Sequence, residues 1–177
     1  MLLGVVLAGG KSSRFGSDKA LAELDGHSLL ALAVDTLSGW CERVVVCGRE
    51  QAPAPTLPDW PRAGMGPLGG LAAALRHACD EGYEHVLSCG VDAGRLPDDL
   101  PGLLQPGPAC LIDQPVIGLW PASAASVLER LLLSDERHSM RHFAELCGAR
   151  EVRIAGAIPN INTPQDLAAL TGLQPPR

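Results

Sequence analysis

Residues 2–19 read LLGVVLAGGKSSRFGSDK, an apolar run that passes without interruption into a glycine-rich, cationic segment. The run Leu2–Leu7 has the length and composition of a strand buried on both faces. In the segment after it, Gly9, Gly10 and Gly16 allow close backbone approach to an anion and positive φ, while Lys11, Arg14 and Lys19 supply charge. The chain as a whole carries a formal net charge of −6, so this cationic cluster is local and its expected target is a polyphosphate. A Walker A loop is excluded, because that pattern requires a glycine where Val5 stands.

Outward from this loop, strand-like and helical patterns alternate. A helical pattern over residues 28–37 follows the Asp25-Gly26 turn, and Arg43–Cys47 reads as a second buried strand, which makes a βαβ unit. Residues 49–66, interrupted by Pro53, Pro55, Pro58 and Pro61, predict a long loop with little regular structure. A helix over 68–79, a strand over 85–89 and a turn through Gly94 and Pro97 complete a second unit. Further on, the patterns predict a strand over 115–120, helices over 124–133 and 139–147, and a strand over 150–154. A closing helix to Leu170 is capped by Thr163, with Pro164 at its first position and Asp166 in its first turn. The expected architecture is α/β, a three-layer α/β/α sandwich with a Rossmann-like, mainly parallel sheet, in one domain over 1–171 with a frayed tail at 172–177.

Composition narrows the function classes. The 177 residues are 46% hydrophobic and only 3% aromatic, which fits one globular domain and argues against a nucleic-acid surface. No basic n-region precedes the apolar start and no stretch reaches membrane-spanning length, so a cytoplasmic protein with no membrane or nucleic-acid partner is expected. The six cysteines lack C-x-x-C spacing and read as small, mostly buried hydrophobes of a reducing compartment. His138 and His142 stand i, i+4 on a predicted helix, a spacing that could seat a metal, but without a nearby Glu motif an exposed helix face is the simpler reading.

In an open α/β sheet, ligands bind beyond the carboxyl ends of the strands. The polar residues at those positions are the glycine loop, then Asp92 after an apolar run, then Asn160 and Asn162 before the final helix. Taken by itself, Asp92 suits either a hard-cation ligand or a turn former, Asp59 either a site acid or a solvated loop residue, and the two asparagines either site groups or Asx turns.

The pattern Leu-Ala-Gly-Gly-x-x-x-Arg-Phe-Gly-x-Asp-Lys resembles the signature loop of the nucleotidyltransferase superfamily, most closely the molybdenum cofactor guanylyltransferases. The resemblance recurs in order through Gly66-Pro67-Leu68-Gly69-Gly70, Cys89-Gly90-Val91-Asp92, Gln114-Pro115-Val116-Ile117-Gly118 and Asn160-Ile161-Asn162-Thr163-Pro164. It implies the fold of the nucleotide-diphospho-sugar transferases and transfer of GMP from GTP to molybdopterin with release of pyrophosphate. By the same resemblance, Leu7, Ala8, Gly9 and Gly10 bind the nucleotide through backbone groups and Lys19 contacts phosphate. Asp59 is the acid ahead of Gly-Pro-Leu, Asp92 binds both nucleotide and Mg²⁺, and Asn160 and Asn162 lie on the acceptor side. Arg14, Lys19 and Asp92 are the implied catalytic residues, and Mg²⁺ is the implied cofactor. GTP and the molybdenum cofactor are the implied partners, with proteins of cofactor biosynthesis or molybdoenzyme maturation admitted beside them.

The chain departs from the family pattern in places. Gly94 replaces the proline of Asp-x-Pro, Gln114-Pro115 replaces His-Pro, Gly48 stands for an asparagine, and the stretch between Asp92 and Gln114 is short. Three alternatives stay open: the sister cytidylyltransferase, another nucleotidylyltransferase with a different acceptor, and a nucleotide-binding module with weakened catalysis. An NAD-dependent oxidoreductase is the remaining rival, because Gly64-Met65-Gly66-Pro67-Leu68-Gly69 spells G-x-G-x-x-G. That fingerprint requires a strand immediately before it, and residues 59–63 are a proline-interrupted loop.

Overall fold

The computed structural model describes residues 1–10, 16–92 and 95–171. Among these, seven strands form one sheet in the order β5-β4-β1-β6-β8-β7-β9. The strands are β1 (Leu2–Leu7), β4 (Arg43–Cys47), β5 (Thr56–Leu57), β6 (His85–Gly90), β7 (Ala109–Leu111), β8 (Gly118–Pro121) and β9 (Arg150–Val152). A separate two-stranded antiparallel hairpin, β2 (Glu23–Leu24) and β3 (His27–Ser28), turns through Asp25 and Gly26. The main sheet is parallel except at β8, which runs antiparallel to both β6 and β7.

Helices α1 (Leu29–Ser38), α2 (Pro67–Glu81), α3 (Leu100–Leu103), α4 (Ala125–Leu132), α5 (Met140–Leu146) and α6 (Pro164–Thr171) complete the chain. The two-residue periodicity of β1 sorts its side chains between two cores. Leu3, Val5 and Leu7 pack with α2, α4 and α5 on one face, and Val6 packs with Leu30, Val34 and Leu37 of α1 on the other. This is the expected α/β/α sandwich. Ser88, buried on β6, is satisfied by donating to Val116 O at 2.7 Å and accepting from Trp120 Nε1 at 2.9 Å.

Four local expectations are corrected. The strand expected over 115–120 begins only at Gly118, because residues 113–116 turn, with Ile117 N donating to Gln114 O at 2.9 Å. Within the proline-rich 49–66 loop, Thr56–Leu57 adds a short edge strand, placed between Pro55 and Pro58 where no inner ladder bond is lost. The three-residue β7 was not expected at all. His138 precedes α5 rather than sharing it with His142, whose ring instead meets Glu136 at 2.6 Å and Glu145 at 3.6 Å. No strand stands immediately before Gly64, since β5 ends at Leu57, so the G-x-G-x-x-G rival lacks its context.

Candidate nucleotide site

The inner strand β1 lies between β4 and β6, so its carboxyl end faces two loops at once. Ala8 N donates to Cys47 O at 2.9 Å, which carries the β1–β4 pairing one residue past the strand. Gly48 then takes φ +90° and lies so close to Gly9 that an added Cβ would sit 2.4 Å from both Gly9 N and Gly9 Cα. A backbone contact this tight is open only to glycine at position 48. It draws the two strand-end loops into one continuous floor.

Two hollows of about 550 and 530 Å³ share that floor. Both are lined by Gly9, Gly10, Gly48 and Arg49. The first adds Ser17, Asp18, Lys19 and Val91, and the second adds Leu7, Cys47, Leu57, Asp59, Gly66 and Gly70. The first is the charged side. Lys19 Nζ lies 3.4 Å from Asp92 Oδ2, with side chains 17% and 34% exposed, so the pair is partly shielded but open to a ligand. Asp92 reaches this place because Gly90 has no side chain, since a Cβ there would come within 2.7 Å of Asp92 Oδ1.

The second hollow is the drier side and holds Asp59. Burial pushes the Asp59 carboxyl above the ordinary carboxylate range. Its side chain lies over the first turn of α2, where Gly69 leaves 3.2 Å between a notional Cβ and Asp59 Cβ, and Gly70 leaves 3.6 Å to Asp59 Oδ1. The positive end of the helix favours the ionised carboxylate there. The adjoining Cys47 thiol is pushed up to about 12 by burial and then by the Asp59 charge, so it is an inert wall rather than a nucleophile.

The acceptor-side residues arrive from the far end of the chain. Ile161 N donates to Asp92 O at 2.8 Å, which lays residues 160–162 beside the Asp92 loop. Asp166 accepts from Asn162 N at 2.9 Å and Thr163 N at 2.8 Å, while Thr163 Oγ1 accepts from Asp166 N, a reciprocal cap that fixes the start of α6. These backbone donors hold the Asp166 carboxyl below its ordinary value. Gln114 Nε2 donates to Ile158 O at 2.9 Å and steadies the same segment from the β7–β8 turn.

The structure therefore brings together Leu7, Ala8, Gly9, Gly10, Lys19, Asp59, Asp92, Asn160 and Asn162 at one edge of the sheet. Lys11, Arg14 and Gly94 lie outside the described residues. Sequence reasoning missed Arg49. Its signal was a cation two residues past the end of β4, the same strand-end position that Asp92 occupies after β6.

A glycine floor between two parallel strands, a lysine–aspartate pair over one half and a half-buried acid in the other define a nucleotide-binding α/β protein of the nucleotidyltransferase kind. Comparison with known proteins narrows the class. The MobA-like NTP transferase domain matches residues 4–152. The molybdenum cofactor guanylyltransferase of Rhizobium leguminosarum bv. trifolii (strain WSM2304) is 36% identical, covering 94% of this chain and 90% of its own length. That of Acidiphilium cryptum (strain JF-5) is 37% identical, covering 95% and 93%. The crystal structure of molybdopterin-guanine dinucleotide biosynthesis protein A from Archaeoglobus fulgidus shares the fold, with a TM-score of 0.77 over 97% of each chain at 23% identity. This chain belongs to the MobA-like NTP transferase family. Among the described residues no helix is long and apolar enough to cross a membrane.

Proposed function

We propose that this protein transfers GMP from GTP to the terminal phosphate of molybdopterin, forming the guanine dinucleotide form of the molybdenum cofactor and releasing pyrophosphate. The observation that carries the reading is the division of one glycine floor into a half with Asp59 and a half with the Lys19–Asp92 pair, as a base followed by a triphosphate requires. Guanine presents adjacent N1–H and N2–H donors, which a single ionised carboxylate accepts together. Neither cytosine nor adenine offers that pair, so Asp59 favours GTP over CTP and ATP. The names of the relatives point the same way.

In the transfer, an oxygen of the molybdopterin phosphate attacks the α-phosphorus of GTP as the bond to the β-phosphate oxygen breaks. No protein nucleophile takes part. The backbone of Leu7, Ala8 and Gly9 meets the base edge, and the amide of Gly10 meets the phosphates. Lys19 balances triphosphate charge as it develops, and Arg14 is proposed to do the same. Asn160 and Asn162 orient the acceptor.

A divalent cation fits the residues present. Among the described residues no group of three or more His, Cys, Asp or Glu forms a cage, yet Asp92 offers one accessible carboxylate, the donor set Mg²⁺ uses when substrate phosphates and water complete its shell. Such an ion would be held by Asp92, and when bound it supplies neutralisation of phosphate charge. Asp18 is committed elsewhere, to Arg49 and Ala20 N.

The test is a steady-state assay with molybdopterin as acceptor and GTP, CTP or ATP as donor. GTP is expected to be favoured by about tenfold or more, since a buried hydrogen-bonding site left unpaired by the wrong base loses roughly 1–3 kcal/mol. Preference for CTP would move the protein to the cytidylyltransferase branch, and absence of transfer from every nucleotide would refute the reading.

A further inference from the structure

Arg49 lines both hollows where they meet, and its side chain is paired with Asp18, which lines the first. Its Nη1 donates to Asp18 Oδ1 at 2.9 Å and its Nη2 lies 2.8 Å from Asp18 Oδ2, a two-point pair between loops that follow different strands. The Arg49 side chain is 19% exposed, and among the described residues its Nε has no hydrogen-bond partner and its side-chain hydrogen bonding goes to Asp18. Asp18 Oδ1 also accepts from Ala20 N at 3.2 Å, as the cap of a short 3₁₀ turn over Lys19–Leu21. The guanidinium is the first cause of the depressed Asp18 carboxyl, so the pair is ionised.

The next residue is Lys19, 3.4 Å from Asp92. Four charges thus alternate along the rim, Arg49⁺, Asp18⁻, Lys19⁺ and Asp92⁻, across the carboxyl ends of β4, β1 and β6. The Gly9–Gly48 contact fixes the backbone at the Arg49 end. The Lys19–Asp92 end is the one a triphosphate must reorganise, because Lys19 would turn to phosphate. The Arg49–Asp18 end lines the same hollow, but there two guanidinium donors are already matched to two carboxylate oxygens, a two-point pair that a phosphate would have to break to draw Arg49 away.

We propose that Arg49 is a positioning residue for the phosphate loop: through Asp18 it sets the place of Lys19 without itself touching the triphosphate. This rests on the nucleotide reading of the site given above. A displacement of about 1 Å in a charge-positioning element is enough to cost ten- to a hundredfold in function, so a remote pair of this kind has a measurable effect.

The experiment is a double-mutant cycle on the full chain, with GTP and guanosine binding measured by calorimetry and folding checked by thermal melting. Asp18→Asn keeps an acceptor for Ala20 N while removing the charge, so the turn is spared. Arg49→Ala and Asp18→Asn are each expected to weaken GTP about tenfold and guanosine less than about twofold, with the double variant no weaker than the worse single and Arg49→Lys intermediate. Loss in Arg49→Ala with Asp18→Asn unchanged would show that Arg49 contacts phosphate directly and would overturn the proposal. Multiplying losses, equal losses for GTP and guanosine, or unchanged binding in every variant would overturn it too. A wild type that binds no GTP would refute the proposed function and this inference with it, whereas intact wild-type binding with unaffected variants refutes only the inference.

Discussion

Replacing Gly48 by alanine tests the argument that the site is built on a backbone contact. The added Cβ would lie 2.4 Å from Gly9 N, 2.4 Å from Gly9 Cα and 3.2 Å from Ala8 C, all main-chain atoms that no rotamer change can move aside. The residue also holds φ +90°, where an L side chain is strained. Strain in this region costs about 1–2 kcal/mol, and forced overpacking adds about 1–3 kcal/mol. The sum, roughly 2–5 kcal/mol, is a large share of ordinary domain stability and corresponds to about 4–20 °C in Tm for a chain of this size. Gly9→Ala is the matched control. Its Cβ would be 3.2 Å from Gly48 Cα and 3.8 Å from Gly48 O, at a position without positive φ, so a shift of a few tenths of an ångström relieves it. Thermal and urea unfolding of the two variants should therefore rank Gly48→Ala well below Gly9→Ala, with Gly9→Ala affecting base choice more than stability. A Gly48→Ala protein within about 0.5 kcal/mol of wild type, the ordinary range for surface substitutions, would refute the contact as a structural element.

Asp92→Asn should abolish Mg²⁺-dependent transfer while leaving the melting curve in place, because the carboxylate lies at the rim and not in either core; wild-type turnover would remove it from the metal role. Lys19→Ala should weaken GTP far more than guanosine, which calorimetry on both ligands reads directly, and equal losses would assign Lys19 to folding or to the base side. Asp59→Asn should erode preference for GTP over CTP and ATP in kcat/KM. Asp59 also carries a pH signature: its folded value is raised by burial, and the carboxylate is the form that would accept from guanine in the proposed function. GTP affinity should fall as pH drops through a value above the ordinary Asp range, and the fall should be absent in Asp59→Asn.

Much of the sheet edge was legible because the signals there are local. An apolar run feeding a glycine loop, an acid after the run that forms β6, and Thr163-Pro164 at a helix start each need only neighbours in sequence to be recognised. The element β7 was not legible: Ala109–Leu111 is three residues with no β-branched side chain, and only pairing with β8 and β9 makes it a strand. Thr56–Leu57 was hidden among prolines that usually exclude strands, and only an edge position tolerates them. The shift of β8 to Gly118–Pro121 came from the turn at Gln114, whose closing bond no periodicity announces. Arg49 escaped notice for a different reason. Its meaning depends on Asp18, brought to it only when β1 and β4 pair.

The departures from the family pattern become less disruptive once the acceptor side is traced through its tethers. The segment before Gln114 is short, and β7 is correspondingly brief, yet residues 158–162 are held at two points that do not depend on it. Gln114 Nε2 binds Ile158 O, and Ile161 N binds Asp92 O. Gln114, standing where the family places a histidine, keeps a side-chain donor at the position that needs one. The cap between Thr163 and Asp166 then fixes Asn162 from the other side. The asparagines are thus carried to the Asp92 loop by these hydrogen bonds together with burial of Ile158 and Ile161 in the flanking cores. The short stretch between Asp92 and Gln114 therefore leaves in place the tethers that hold residues 158–162 beside Asp92, where Asn160 and Asn162 are proposed to orient the acceptor phosphate.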